Sequence, residues 1–149
     1  MWVLLIPPVN AEDLNFSEGR FIQTTYNPFY EEKTISKGYL KIGDFITLDY
    51  GKEKIIIKDK HLYHKVGEKT EIYELPAWAE VLYILWKEKK NIDTFFLRKE
   101  ENGKTVLKPK KKCPIYSISL KTKGNKITFL SVEDIYGNIN AFEFENANK

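Results

Sequence analysis

Pro76-Ala77-Trp78-Ala79-Glu80-Val81-Leu82-Tyr83-Ile84-Leu85-Trp86-Lys87-Glu88-Lys89-Lys90 is where the architecture of this chain is most plainly written. Proline suits a first helical position, where its missing N–H is not needed. Trp78, Val81, Leu82 and Leu85 recur at the spacing of one helical face. Ala77, Tyr83, Ile84 and Trp86 carry the apolar surface almost all round, and a helix of that kind is normally enclosed by protein. Glu80 lies toward the positive end of the helix dipole, and Lys87, Lys89 and Lys90 toward the negative end. Asn91 is a fair stop residue. Leu75, at the N-cap, offers no capping side chain. The apolar run is too short to cross a bilayer. The spacing predicts a buried helix over about 76–90 on which a sheet packs. The rival reading is a docking helix that presents Trp78 or Trp86 to a partner.

Strand signals stand on both sides of this helix. Before it, Phe21–Tyr26, Gly38–Ile42, Phe45–Tyr50, Lys54–Lys60, His61–Val66 and Thr70–Glu74 read as strands, separated by Asn27-Pro28, Gly43-Asp44, Gly51-Lys52-Glu53 and Gly67-Glu68. Trp2–Ile6, stopped by Pro7-Pro8, reads as a further strand and not as a signal peptide. Strand alternation places Lys54, Ile56, Lys58 and Lys60 on one face and Ile55 and Ile57 on the other. After the helix, Thr94–Arg98 and Thr105–Leu107 flank Asn102-Gly103, the strongest short hairpin signal. Ile115–Lys121 and Lys126–Val132 flank Lys123-Gly124-Asn125, and Ile139–Glu145 pairs back through Gly137-Asn138. Pro109 and Pro114 bracket a loop or sheet edge, and the tail, Asn146–Lys149, reads as frayed. The expected fold is α+β: mainly antiparallel β-sheet, or a partly open barrel, packed on one central buried helix. A single globular domain over 1–149 is expected, with a possible sub-boundary near 75.

At 149 residues, with 42% hydrophobic and 14% aromatic side chains, the chain can bury a core without staples. The single cysteine, Cys113, excludes an internal disulfide and a cysteine-built metal cluster. It favours a reducing, cytoplasmic setting. Plentiful Lys, Glu and Ile with scarce Gln, Cys and Met follow the thermophile trend, against which ten asparagines speak.

The net charge of +3 conceals an uneven layout. Residues 102–132 hold eight lysines and no acid, while both ends of the chain are acidic. Lys104, Lys108, Lys110, Lys111 and Lys112 occupy a hairpin arm and the loop after it. Lys121 and Lys123 end the next strand, with Ser117 and Ser119 beside them, and Lys126 starts its return. Tyr116, Ile118 and Leu120 are expected to face the core. Lys54, Lys58 and Lys60 extend the basic surface if the two runs of strands are neighbours. Lysines with hydroxyls beside them suit phosphate oxygens. Single-strand binders add aromatic platforms, for which Tyr30 and Tyr63 are the candidates, with Tyr26 and Phe29 near them. Having only two arginines, Arg20 and Arg98, points to backbone contact and not to base reading. Lysine-rich edges that merely keep sheets apart are the bland alternative.

Other chemistry is sparse. Phosphate-binding and dinucleotide glycine loops are absent, as is a Gly-x-Ser-x-Gly elbow. No cofactor or resident metal is implied. His61 and His64 fall on opposite faces of a strand, giving a surface His61 and a hydrogen-bonded, inward His64. Asp44, Asp49 and Glu53 are near in sequence, and a metal nuclease needs such carboxylates to converge. The preferred reading is a non-enzymatic, sequence-tolerant binder of single-stranded DNA or RNA, with no membrane association. The alternatives are a protein-interaction module whose basic patch meets an acidic partner, and a small metal-dependent nuclease.

Overall fold

The computed structural model describes residues 11–145. The expectations for Trp2–Ile6 and Asn146–Lys149 therefore lie outside the described residues. Eleven antiparallel strands form one open sheet. In chain order they are β1 (Gly19–Asn27), β2 (Glu32–Ile42), β3 (Ile46–Asp49), β4 (Glu53–Lys58), β5 (His61–Val66), β6 (Lys69–Glu74), β7 (Phe96–Glu101), β8 (Lys104–Pro109), β9 (Ile115–Lys123), β10 (Lys126–Asp134) and β11 (Ile139–Phe144). Helix α1 (Ala77–Lys87) lies between β6 and β7, followed by a 3-10 turn at Lys89–Asn91 and a single helical turn, α2 (Ile92–Phe95).

The order across the sheet is β6-β5-β4-β3-β2-β1-β11-β10-β9-β8-β7. Two meanders thus join through their first and last strands. Phe21 pairs with Phe144 and Gln23 with Phe142 at that junction. Helix α1 carries the chain from one outer edge, β6, to the other, β7. It packs against β10.

The sheet exists because short β-branched and aromatic runs alternate with turns of two to five residues. Asp59-Lys60 and Asn102-Gly103 both turn with positive φ, the conformation that matches strand twist. Alternation then sorts side chains onto an inner face with Phe21, Leu40, Leu48, Ile57, Leu107, Ile118, Leu120, Leu130 and Phe142, all buried. Residues of both meanders and α1 form one core cluster. Ala79, Val81, Leu82, Ile84 and Leu85 of α1 are buried within it. The helix is the rod expected, and Trp78 and Trp86 are half-buried against the core. Trp78 sits against the Phe142 ring at 5.9 Å, while Lys87 covers Trp86 at 4.3 Å.

The structure corrects three expected element boundaries. The helix ends at Lys87, short of Lys90. The segment expected to begin a strand at Thr94 is still helical there, and β7 starts at Phe96. Ile92, fully packed at 1% exposure, anchors this extra turn where the spacing of α1 has ended. Strand β2 begins at Glu32, well before Gly38, because register with β1 holds a stretch whose own residues are mostly polar.

Candidate nucleic-acid interface

Strand alternation puts Lys104, Val106 and Lys108 of β8 on the outer face, opposite the buried Leu107. Val106 pairs with Ser119 of β9, and Lys121 of β9 pairs with Phe129 of β10. Two lysines from different strands therefore flank one ring. Lys104 Nζ lies 6.0 Å and Lys121 Nζ 5.8 Å from the Phe129 centroid. Lys108 Nζ lies 5.3 Å from the Tyr116 ring. Cation–π contact draws the ammonium groups toward the sheet while leaving charge available at its surface. Lys104, Lys108 and Lys121 make no ion pair among the described residues. Acids stand nearby. Glu101 is in register with Lys104, but Lys99 holds it at 2.9 Å. Glu143 is in register with Phe129 on its other side.

Tyr116, expected in the core, is instead 52% exposed. A register shift between Glu133 and Asp134 of β10 breaks the alternation that would have turned it inward. Phe129 faces outward by plain alternation with the buried Leu130 and Val132, and a second shift, between Ile127 and Phe129, brings Ile127 back to the inner face. Of the two rings of the basic ridge, Tyr116 therefore depends on a bulge, for which sequence alternation carries no signal, while Phe129 follows the alternation of β10.

The remaining lysines disperse. Lys123 and Lys126 face one another across the tip of the β9–β10 hairpin. Lys112 lies exposed in the loop between β8 and β9. Lys110 Nζ donates to the Asp93 carbonyl at 2.7 Å. Lys54 and Lys58 share the outer face of β4 as expected, at a distance of many strands from β8 in the sheet order. Lys54 lies 4.0 Å from Asp49, and Lys58 lies over Phe45 at 5.6 Å. Lys60 does not join them. It is in the β4–β5 turn at φ +63°, where it lines a cavity together with Lys110 and Lys111. Tyr63 is half-buried on β5. Tyr30 is 74% exposed in the β1–β2 loop, whose turn is closed by Asn27 Oδ1 accepting from the Phe29 and Tyr30 amides. Neither tyrosine belongs to the strands that carry the ridge.

The other sequence candidates part company. Asp49 faces outward and lies 3.9 Å from Lys41 as well as 4.0 Å from Lys54. Glu53 is exposed on the face of β4 that also carries Ile55 and Ile57, and His64 Nε2 lies 2.6 Å from its Oε2. Asp44 is exposed in the β2–β3 turn. The three carboxylates do not converge, and no group of three or more metal-ligating side chains occurs among the described residues. His61 is exposed, its Nδ1 2.9 Å from the Asp59 carbonyl oxygen. The outward His61 and the inward, partnered His64 match the alternation argument. Cys113 Sγ lies 3.6 Å from the Ile115 carbonyl.

Sequence reasoning missed an inward polar chain. Tyr50 donates its hydroxyl hydrogen to Gln23 Oε1, and Gln23 Nε2 donates to Asn140 Oδ1 at 3.2 Å. Burial pushes the Tyr50 phenol up, with the Glu53 carboxylate adding to the effect. The chain joins the two meanders across β1 and β11, and its lone buried polar residue, Gln23, is satisfied at both ends.

The chain matches no protein-family model, and no curated protein is significantly similar to it in sequence. Function rests on the geometry alone.

Proposed function

We propose that the protein binds nucleic acid without sequence selection, with single strands preferred, through the outer face of β8–β10. The observation that carries this reading is the Phe129 ring flanked by Lys104 and Lys121. Cations beside an aromatic face match the needs of a single strand, whose phosphates seek charge and whose bases seek stacking partners. Ser117, Ser119 and Ser131 on the neighbouring strands add hydroxyl donors for phosphate oxygens. Lysine alone favours contact with the backbone over reading of bases.

Fluorescence anisotropy of a labelled oligonucleotide over a salt series tests it. The affinity should fall linearly with salt on logarithmic axes. Each phosphate neutralised on a single strand adds about 0.7 to the steepness of that line. Replacing Lys104, Lys108 and Lys121 together, each by Ala, should therefore make the slope shallower by about 2. Absence of binding at low salt, or an unchanged slope in the triple variant, rejects the reading.

A second reading, a protein-interaction module, draws on a different observation. Phe29 and Tyr30 at the β1–β2 loop and Ile135 and Tyr136 at the β10–β11 loop are all strongly exposed. The two loops touch, for a Cβ on Gly137 would lie 3.1 Å from Pro28 Cγ. Together they form an apolar knob of the kind that enters partner pockets. Failure of oligonucleotide binding at low salt would favour this module. The dispersed carboxylates Asp44, Asp49 and Glu53 give a metal nuclease no support.

A further inference from the structure

The two outer edges of the sheet, β6 and β7, do not pair, and a cavity of about 630 Å³ opens beside them. One wall comes from Lys60 in the β4–β5 turn and Leu75 after β6. The opposite wall comes from α2, the start of β7 and the segment 109–115. Helix α1 lines it with Glu80, Tyr83 and Ile84, and the residue that caps its C-terminus, Glu88, joins them. Much of the lining is apolar, with Leu75, Tyr83, Ile84, Phe95, Phe96 and Ile115 contributing. The volume falls within the range of about 300–1,000 Å³ that small-molecule sites occupy.

Three ammonium groups stand at this cavity: Lys60, Lys110 and Lys111, all on exposed residues. Lys60 and Lys111 make no ion pair among the described residues, and Lys110 gives one of its three protons to a carbonyl. The site thus combines an apolar interior with three lysines set against two carboxyl groups, Glu80 and Glu88. We propose that it binds a single-chain amphiphile with an anionic head, its hydrocarbon tail in the cavity and its carboxylate at Lys60, Lys110 and Lys111. Against the three lysines, the two carboxyl groups of the lining leave positive charge in excess. Glu80 is partly buried, and that burial, with the Glu88 carboxylate adding to it, raises its pKa above the ordinary value. This site is separate from the Lys104–Lys121 ridge and stands or falls without it.

Dodecanoate, kept below its micelle concentration, is a suitable probe, compared by calorimetry with dodecanol and with dodecyltrimethylammonium. The chain's single cysteine, Cys113, lines the cavity and serves as a built-in reporter. Dodecanoate should bind with one-to-one stoichiometry, and saturation should slow reaction of the Cys113 thiol with a water-soluble disulfide by about tenfold by closing off its approach. Affinity should rise roughly threefold to fourfold per methylene between octanoate and dodecanoate. The variant K60E/K110E should lose about tenfold in affinity for dodecanoate and gain for the cationic amphiphile. Thr94→Trp, placed on an exposed lining residue where folding is least at risk, should block the probe. The variant lacking Lys104, Lys108 and Lys121 should bind dodecanoate as the parent does. Equal binding of the cationic amphiphile by the parent, or an unprotected Cys113 thiol with dodecanoate bound, overturns the proposal.

Discussion

Gly38 has no room for a side chain. A Cβ there would lie 2.6 Å from Phe21 Cζ and 2.9 Å from the Asp49 carbonyl oxygen. The buried Phe21 ring occupies the space beside β2 and meets Tyr50 edge-on at 5.6 Å. Gly38→Ala should therefore destabilise the protein by about 1–3 kcal/mol, the usual cost of overpacking. Urea denaturation will measure it, and a neutral result would show that Phe21 can swing aside freely. Glu80 offers a second residue-scale test. Burial, followed by the Glu88 carboxylate, raises its carboxyl above the ordinary value of 4.5. The folded state then holds the proton more tightly than the unfolded chain. The contribution of Glu80 to stability is therefore full below its unfolded pKa and declines as pH rises through its folded pKa. Glu80→Gln should gain stability relative to the parent as pH climbs from about 4 to 7. A difference that stays flat across that range, read from paired thermal melts, would contradict the assignment.

Among the described elements, α1 holds the most buried apolar residues: Ala79, Val81, Leu82, Ile84 and Leu85. Leu82 and Leu85 are each 1% exposed, and complete burial of a leucine contributes about 1.5–3 kcal/mol. Leu82→Ala should cost about 2–5 kcal/mol, since the cavity left behind adds to the forfeited transfer energy. An equivalent truncation on the edge strand, Ile72→Ala, should cost far less, because Ile72 is 61% exposed. Denaturant midpoints of the two variants check the ordering. The hairpin turns form the other well-marked elements. Asn102 and Gly103 adopt φ of +49° and +79°, which is the reason that pair announces its hairpin so clearly in the sequence. The first half of β2 has no such announcement. Glu32, Lys33, Thr34 and Ser36 form a strand because β1 offers them a complete ladder, a cause that lies in another part of the chain.

At the scale of the molecule, the pairing of β1 with β11 makes one sheet of two meanders. The contact between residues so far apart in the chain is closed only after a large loss of chain freedom. Native-state hydrogen exchange should show the slowest amides in β1, β10 and β11, and the fastest among strands in β6 and β7, whose outer edges have no partner strand. Equal protection across all eleven strands would show that the seam is closed in solution. The same layout governs the charge. The eight lysines of residues 102–132 do not gather on one face: three form the outer ridge, while Lys110 and Lys111 meet Lys60 at the cavity. Lys123 and Lys126 cap a hairpin, and Lys112 lies in a loop.

What the sequence by itself determined was the local order. Period-3.6 spacing marked the buried helix, period-2 runs and glycine turns marked most strands, and the lysine run with its two flanking prolines marked a cationic segment. Each is a property of neighbours along the chain. Only the tertiary structure decided that β1 would meet β11, that a bulge in the β9–β10 pairing would turn Tyr116 outward, and that Lys60 would stand with Lys110 and Lys111. Those outcomes follow from which distant strands share a ladder and where the sheet leaves its edges open. That competition among long-range pairings is settled by the burial of the whole core and leaves no periodic trace in any one segment.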